Sequence, residues 1–555
     1  MRSKKFNIKL FIGIGFTLLL ASHQTDGQTS SLKDSKTPKL VVGIVVDQMR
    51  YDYLSKYYAK FSENGFKKLM NQGFNCKNAN YNYSPTYTGP GHASIYTGTT
   101  PAYHGIIGND WYVRETGKTT YVTDDATEKT VGSSAGGAGK MSPRNLLAST
   151  IGDELKLYSN LKSKVVAVSL KDRASILPGG HLSDGSYWFD SGSGNFITST
   201  FYKKELPTWV TIFNERKLAH TYLSKPWNTL LPIDQYTESA ADDNPYEGLY
   251  GKEKKPVFPH DLPSIYNQKD FGIIRSTPFG NSITKDIAIA ALQGENLGKG
   301  PYTDLLAVSF SATDYVGHKM GPQSVEVEDT YLRLDRDIAE LLTLLEKNYG
   351  KENILVFLTA DHAAAYVSAE LTDNKMNAGY FNGLAFSDSV KGYLNKSYGD
   401  TSLVSFMVNN QIYLNRKRIQ QKNLDLKSIT ADLANYVLQF NGVANVYTAE
   451  QLNGDVLKNK SAELIQNGFY RKRSGDLAIL LEPAWLEELS TTGTTHGSTY
   501  TYDTHIPLLW YGAQIKPGYT SAAIDITDIA PTIAALLNIM APNACIGKPI
   551  VSITK

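Results

Sequence analysis

Acidic residues and histidines stand directly behind several apolar runs of this chain. Asp47 ends KLVVGIVV, Asp314 follows LLAVSFSAT with His318 four residues on, and Asp361 and His362 follow ILVFLTA. Carboxylate oxygen combined with imidazole nitrogen suits zinc. The DYVGH spacing of Asp314 and His318 places both on one face if that turn is helical. His496, in TTHGS, adds a further imidazole just before the last apolar run. Each feature alone has an ordinary reading. An Asp after a strand often caps a helix or makes a turn, and a D-x-x-x-H pair can be a solvated helix face. The joint pattern is more specific than its parts.

A second group lies in SPTYTGPGHASIYTG. Thr88 precedes Gly89, Pro90 and Gly91, after which a helical pattern begins. Proline fits the first turn of a helix, and the free N–H groups there favour an anion. Thr88 therefore reads either as an N-cap or as a hydroxyl that a bound metal ion makes a nucleophile. In KDR, after KVVAVSL, a strand-like backbone would turn Lys171 and Arg173 to the same side. Such a pair can bind a dianion, with Arg bidentate and Lys a point charge. A surface turn is the ordinary alternative.

The elements that must position these groups alternate. Nearly continuous apolar runs at 39–46, 164–170, 305–310, 354–360 and 506–512 read as strands buried on both faces. A helix is expected over 51–72 with Gly73 as its stop. Another carries Tyr331, Leu334, Ile338, Leu341 and Leu345 and ends at Gly350, and a third covers 527–539. The pattern predicts an α/β fold with a mainly parallel central sheet flanked by helices, with carboxylates converging outside the carboxyl ends of its strands. Two stretches break the rhythm, about 180–300 and about 366–490. The second holds VSFMVNNQIYLN, a helix near 428–439 and a further strand. Both read as caps inserted into one domain over 37–553.

The bulk numbers set limits. The 555 residues are 41% hydrophobic, and the net charge of +2 offers no basic excess for nucleic acid. Arg2, Lys4, Lys5 and Lys9 precede an apolar stretch from Leu10 to Ala21, the layout of a signal peptide over about 1–28. That stretch is too short to span a bilayer, and no later segment is apolar enough. Export to the periplasm or the medium is expected. Two cysteines, Cys76 and Cys545, allow a disulfide or two separate thiols, and exclude a thiolate metal site.

With these motifs in view the chain resembles the alkaline phosphatase superfamily, and more narrowly the secreted, phosphate-irrepressible, monomeric bacterial alkaline phosphatases. VVDQMRYDYL, SPTYTGPGHASIYTG, HGIIGNDWY, LKDRASILPGGH, FSATDYVGH, TADHA and TTHGS carry the resemblance, which covers 37–553. It implies an alkaline-phosphatase-like core with cap insertions and two zinc ions. Asp314, His318 and His496 would hold one ion; Asp47, Asp361 and His362 would hold the other together with the Thr88 oxygen. It implies that Thr88 forms a phosphothreonine from small phosphate monoesters, and that water then hydrolyses it. Asn109, Lys171, Arg173 and a backbone N–H near Gly89 would stabilise charge on the phosphoryl oxygens. The rival readings are a nucleotide pyrophosphatase/phosphodiesterase of the same superfamily, which has less need of Lys171 and Arg173, and an inactive binding relative. A sulfatase fits poorly, because His92 stands where its motif requires Arg.

Overall fold

The computed structural model describes residues 37–133, 136–266, 270–454, 457–488 and 490–554. The signal peptide expected over 1–28 lies outside them. Among the described residues no helix is long and apolar enough to cross a membrane.

In chain order, the elements that build the site begin with β1 (Leu40–Val46) and helix α1 (Thr88–Thr97). The hairpin strands β2 (Asp110–Val113) and β3 (Lys118–Tyr121) come next. Then follow β4 (Val165–Ser169), helix α2 (Asp172–Gly179), β5 (Gly185–Asp190) and β6 (Asp304–Phe310). Helix α3 (Ala312–Met320), the long helix α4 (Val325–Tyr349) and β7 (Ile354–Thr359) complete the first part of the core. An inserted sheet contributes β8 (Val404–Val408), β9 (Gln411–Leu414), β10 (Val443–Thr448) and β11 (Leu477–Leu481). The chain then returns to the core as β12 (Leu508–Gly512).

The main sheet has ten strands, in the order Gly518–Thr520, Phe74–Cys76, β12, β7, β1, β6, β4, β5, Asn195–Ser199, Thr130–Val131. Its middle, from β7 to β5, is parallel throughout. Strand β1 lies between β6 and β7 and is buried along its whole length, which is why its sequence is apolar on both faces. The flanks depart from the parallel rule. A short turn returns Asn195–Ser199 antiparallel to β5, since only a long crossover can return a chain parallel, and β12 pairs antiparallel with β7.

The helix expected over 51–72 is interrupted. The chain forms Tyr53–Lys56, a 3₁₀ turn at Tyr58–Lys60, and then Phe66–Gln72 ending at Gly73. The cause is Asp335 on α4. Its carboxylate accepts the N–H groups of Ser62 at 2.6 Å and Phe66 at 2.7 Å, capping the second segment from outside. No local pattern reveals this, because the partner lies in a distant helix.

The inserted sheet runs β8, β9, β11, β10. It has its own apolar core, which includes Phe386, Val390, Leu394, Ile429, Leu433 and Val437 from the helices Gly383–Tyr398 and Leu426–Val437. The two cysteines are both free thiols, Cys76 buried and Cys545 half-buried.

Candidate active site

Strands β7, β1 and β6 are parallel neighbours, so their carboxyl ends lie side by side. Asp47 follows β1, Asp361 and His362 follow β7, and Asp314 sits in the first turn of α3 behind β6. The ligand-type atoms form two groups, Asp314/His318/His496 and Asp47/Asp361/His362, with the atoms of each group within 4.8 Å of one another. DYVGH is helical, and His318 Nε2 lies 3.1 Å from Asp314 Oδ1. The two groups adjoin: the rings of His362 and His496 stack with centroids 3.4 Å apart.

All three histidines are held alike. Each Nδ1 meets a backbone carbonyl, that of Thr494 for His318 (2.7 Å), Thr86 for His496 (2.7 Å) and Ala363 for His362 (3.0 Å). A carbonyl accepts a proton from Nδ1, so Nε2 is the nitrogen each histidine turns toward the ligand groups, although in His318 it faces Asp314 Oδ1. This is the tautomer a metal-binding histidine requires. Among the described residues nothing hydrogen-bonds to His362 Nε2, Asp47 Oδ1 or Asp361 Oδ2, all of which are buried. Unpartnered buried polar atoms are costly, and here they point into one space.

The electrostatics make the same demand. Burial, then the charge of Asp314, pushes the Asp47 carboxyl up to about 6. Burial and Asp47 push Asp361 well above the ordinary carboxylate range. Burial opposes ionisation of Asp314 too, but His318 and Lys171 hold it well below that range. Burial lowers His362 to about 3, and burial together with His362 lowers His496 far below its usual value. His318 departs from this: burial lowers it, but Asp314 outweighs that and raises it. The neutral imidazoles of His362 and His496, with crowded carboxylates beside them, are what divalent cations satisfy. The residues present fit two zinc-type sites.

Thr88 is the first residue of α1. Tyr87 holds the cap position in extended backbone, and the Thr88 side chain caps nothing. The N-cap reading of Thr88 is thereby replaced: the hydroxyl stands at a helix N-terminus, where it accepts from Lys171 Nζ rather than capping the helix. Gly91 is required one turn on. A Cβ there would run into the backbone oxygen of Asp361 and lie 2.8 Å from its Cβ, so glycine is what lets α1 approach β7 so closely.

Lys171 Nζ lies 2.7 Å from Asp47 Oδ2, 2.6 Å from Asp314 Oδ2 and 3.4 Å from Thr88 Oγ1. One ammonium thus bridges both groups beside the hydroxyl. The strand-like reading of KDR is incorrect. Lys171 is the N-cap of α2 and Arg173 lies in its first turn, because the chain turns into a helix directly after β4. Arg173 Nη1 donates to Tyr121 Oη at 2.9 Å, and its buried Nε has no hydrogen-bond partner among the described residues. Asn109 Oδ1 accepts the Gly89 N–H at 2.8 Å. The Gly89 N–H itself is thus taken up in orienting Asn109, whose Nδ2 remains to donate.

Residues with no sequence signal complete the site. Gln48 takes left-handed backbone (φ 62°), giving its N–H to Asp361 Oδ1 (3.2 Å) and its Nε2–H to Asp314 Oδ1 (2.9 Å), and so ties the two groups together. His92 spans Thr88 O (2.9 Å) and Ser309 Oγ (2.8 Å). A positive φ at a glutamine cannot be read from its neighbours in sequence.

Known proteins resemble this chain over most of its length. Residues 41–503 match the family model described as type I phosphodiesterase / nucleotide pyrophosphatase. The chain is 45% identical over 517 residues to alkaline phosphatase PafA of Elizabethkingia meningoseptica, covering 93% of this chain and 94% of the relative. It is 44% identical over 518 residues to alkaline phosphatase PhoV of Synechococcus elongatus, covering 93% of each. The crystal structure of wild-type PafA superposes with a TM-score of 0.91 at 45% identity, covering 94% of this chain and 99% of that one.

Proposed function

We propose that this chain, which belongs to the type I phosphodiesterase / nucleotide pyrophosphatase family of the alkaline phosphatase superfamily, hydrolyses small phosphate monoesters with two zinc ions and a phosphothreonine at Thr88. The observation that carries the reading is the pair of adjoining O/N ligand groups that Lys171 bridges while it also reaches the Thr88 hydroxyl. The names of these two relatives, PafA and PhoV, support the same class.

Asp314, His318 and His496 would hold one ion, and Asp47, Asp361, His362 and Thr88 the other. When bound, the pair would supply Lewis-acid stabilisation of the entering and leaving oxygens and ionisation of the Thr88 hydroxyl. The chain's own residues do the rest. Thr88 Oγ1 attacks phosphorus in line, a bond from Oγ1 to phosphorus forms, and the bond to the leaving oxygen breaks. The N-terminus of α1 favours the anion this creates. Asn109 Nδ2, Lys171 Nζ and the unpaired donors of Arg173 hold the phosphoryl oxygens as charge shifts among them. Water then cleaves the phosphothreonine and frees Thr88.

The description of the family model favours a second reading, phosphodiester cleavage. A monoester dianion has one more charged oxygen than a diester, and two cations stand ready for it. The test is kcat/KM for an aryl phosphate against its methyl diester, together with metal analysis of the pure protein. About two zinc ions per chain and a strong preference for the monoester are expected, with activity lost to a chelator and restored by zinc. A preference for the diester, or full activity in metal-free protein, overturns the proposal.

A further inference from the structure

Asn109 and Arg173 are far apart in sequence, yet both are held at one end of a single hairpin. Strands β2 and β3 pair antiparallel with Asp110 opposite Tyr121. Asn109 directly precedes β2, and its carbonyl accepts the Val122 N–H at 2.8 Å, closing that end. Tyr121, the last residue of β3, donates its O–H to Asp172 Oδ1 at 2.7 Å and accepts from Arg173 Nη1 at 2.9 Å. Its proton is committed to a carboxylate, which Thr123 Oγ1 also meets at 3.0 Å. The hydroxyl is therefore a fixed acceptor for the guanidinium.

The rest of the hairpin is gripped by the inserted sheet. Asn409 and Asn410 both take left-handed backbone (φ 54° and 55°) in the tight turn between β8 and β9, the residue type such turns favour. From that turn Asn409 Nδ2 donates to Asp110 O at 2.7 Å, next to Asn109. Tyr112 stacks on Phe406 of β8, with centroids 5.3 Å apart and planes within 10°, and meets Tyr413 of β9 edge-on at 5.4 Å. Just past β2, Arg114 donates to Ser474 O at 2.7 Å and to Asp476 Oδ2 at 3.0 Å.

We propose that the hairpin is the link through which the inserted sheet sets selectivity for monoesters, with Tyr121 and Asn409 as positioning residues for Arg173 and Asn109. The proposal rests on the reading of those two side chains as phosphoryl-binding groups. An arginine held at one Nη by a rigid acceptor keeps its other donors in one orientation, whereas an untethered one must be ordered at binding. The insertion thereby governs recognition of the phosphoryl group without touching it.

The test is a double-mutant cycle on the zinc-loaded full chain, with inorganic phosphate as the probe, and with an aryl phosphate and its methyl diester as substrates. Tyr121→Phe should weaken phosphate binding and lower monoester kcat/KM by about tenfold, the lower end for a lost hydrogen bond to a charged group. Diester turnover should change less than about twofold. In an Arg173→Ala background the same substitution should change neither quantity by more than about twofold. Asn409→Ala, a change in an inserted turn, should act in the same direction with about a threefold effect that vanishes in Asn109→Ala. Equal losses on both substrates, or undiminished losses in the Ala backgrounds, would show general support of the fold and overturn the inference. If wild type prefers the diester while the phosphate cycle still shows coupling, the monoesterase reading fails and the positioning link stands.

Discussion

Gly91→Ala tests the close approach of α1 to β7. The added Cβ would sit 2.8 Å from Asp361 Cβ and 3.0 Å from its carbonyl carbon. Carbon atoms in contact prefer about 3.5–4.0 Å, so α1 and the Asp361 segment must separate by about 0.7 Å or more. Both are backbone-bearing groups, and no flexible side chain is there to give way. Alanine gains up to about 1 kcal/mol of helix propensity over glycine, while forced overpacking costs about 1–3 kcal/mol. The net loss of stability is therefore small, at most about 3 kcal/mol. Function is more sensitive. Thr88 lies at the start of α1, and Asp361 is a candidate ligand. A misplacement near 1 Å costs about a hundredfold in rate. The variant should fold, melt within several degrees of wild type, and lose about ten- to a hundredfold in kcat/KM on an aryl phosphate. It should also bind zinc more weakly in competition with a chelating dye. Activity and zinc affinity both within about twofold of wild type would refute the argument that this contact sets the site.

Other outcomes follow from the same geometry. Thr88→Ala should abolish turnover while retaining phosphate binding, and acid quench of wild type with labelled substrate should place the label on Thr88; label elsewhere removes it as nucleophile. Lys171→Ala/Arg173→Ala should narrow the monoester-over-diester preference by at least about tenfold, since each charge-assisted hydrogen bond is worth about 1.5–3 kcal/mol; an unchanged ratio would count against the cations as the basis of selectivity. Asp337, buried on α4, is pushed up to about 7 by that burial despite Lys285. A carboxyl raised on folding contributes stability that is present below its unfolded pKa, near 4, and lost as pH rises to about 7. Asp337→Asn lacks this dependence, so its melting temperature should gain on wild type between pH 5 and 8. Parallel melting curves over that range would contradict the assignment.

Legibility in the sequence followed what is local. Strands buried on both faces have no polar alternation, so β1, β4, β6 and β7 stand out as apolar runs. Carboxylates at their ends were readable because the chain must turn there. The geometry of Thr88, Lys171 and Arg173 was not, since one residue's shift at a helix start separates a cap from a first turn. The break in the segment 51–72 depends on Asp335, and the acceptor for Arg173 is Tyr121, both supplied by tertiary contacts. Asn109 emerged through resemblance to a family and through no property of its own residue type. The left-handed Gln48 has no counterpart in local pattern at all.

The placement of β1 at the middle of the sheet has a consequence for biogenesis. Its neighbours are β6 and β7, whose residues pair with Leu40 from Asp304 and Ile354. The hydrogen bond from Gln48 to Asp361 spans 313 positions, and that from Thr86 to Ser498 spans 412. Until β6 and β7 have emerged, β1 is an apolar segment with two open edges, the kind that seeks wrong partners. Such non-local topology folds slowly. The candidate ligand His496 arrives later still, so a chain that stops short of it can assemble only one of the two candidate metal-ligand groups. On the proposed reading, completion of the metal centre is a late event, and a holding chaperone that shields the N-terminal third of the chain should raise the yield of active protein more than added zinc does.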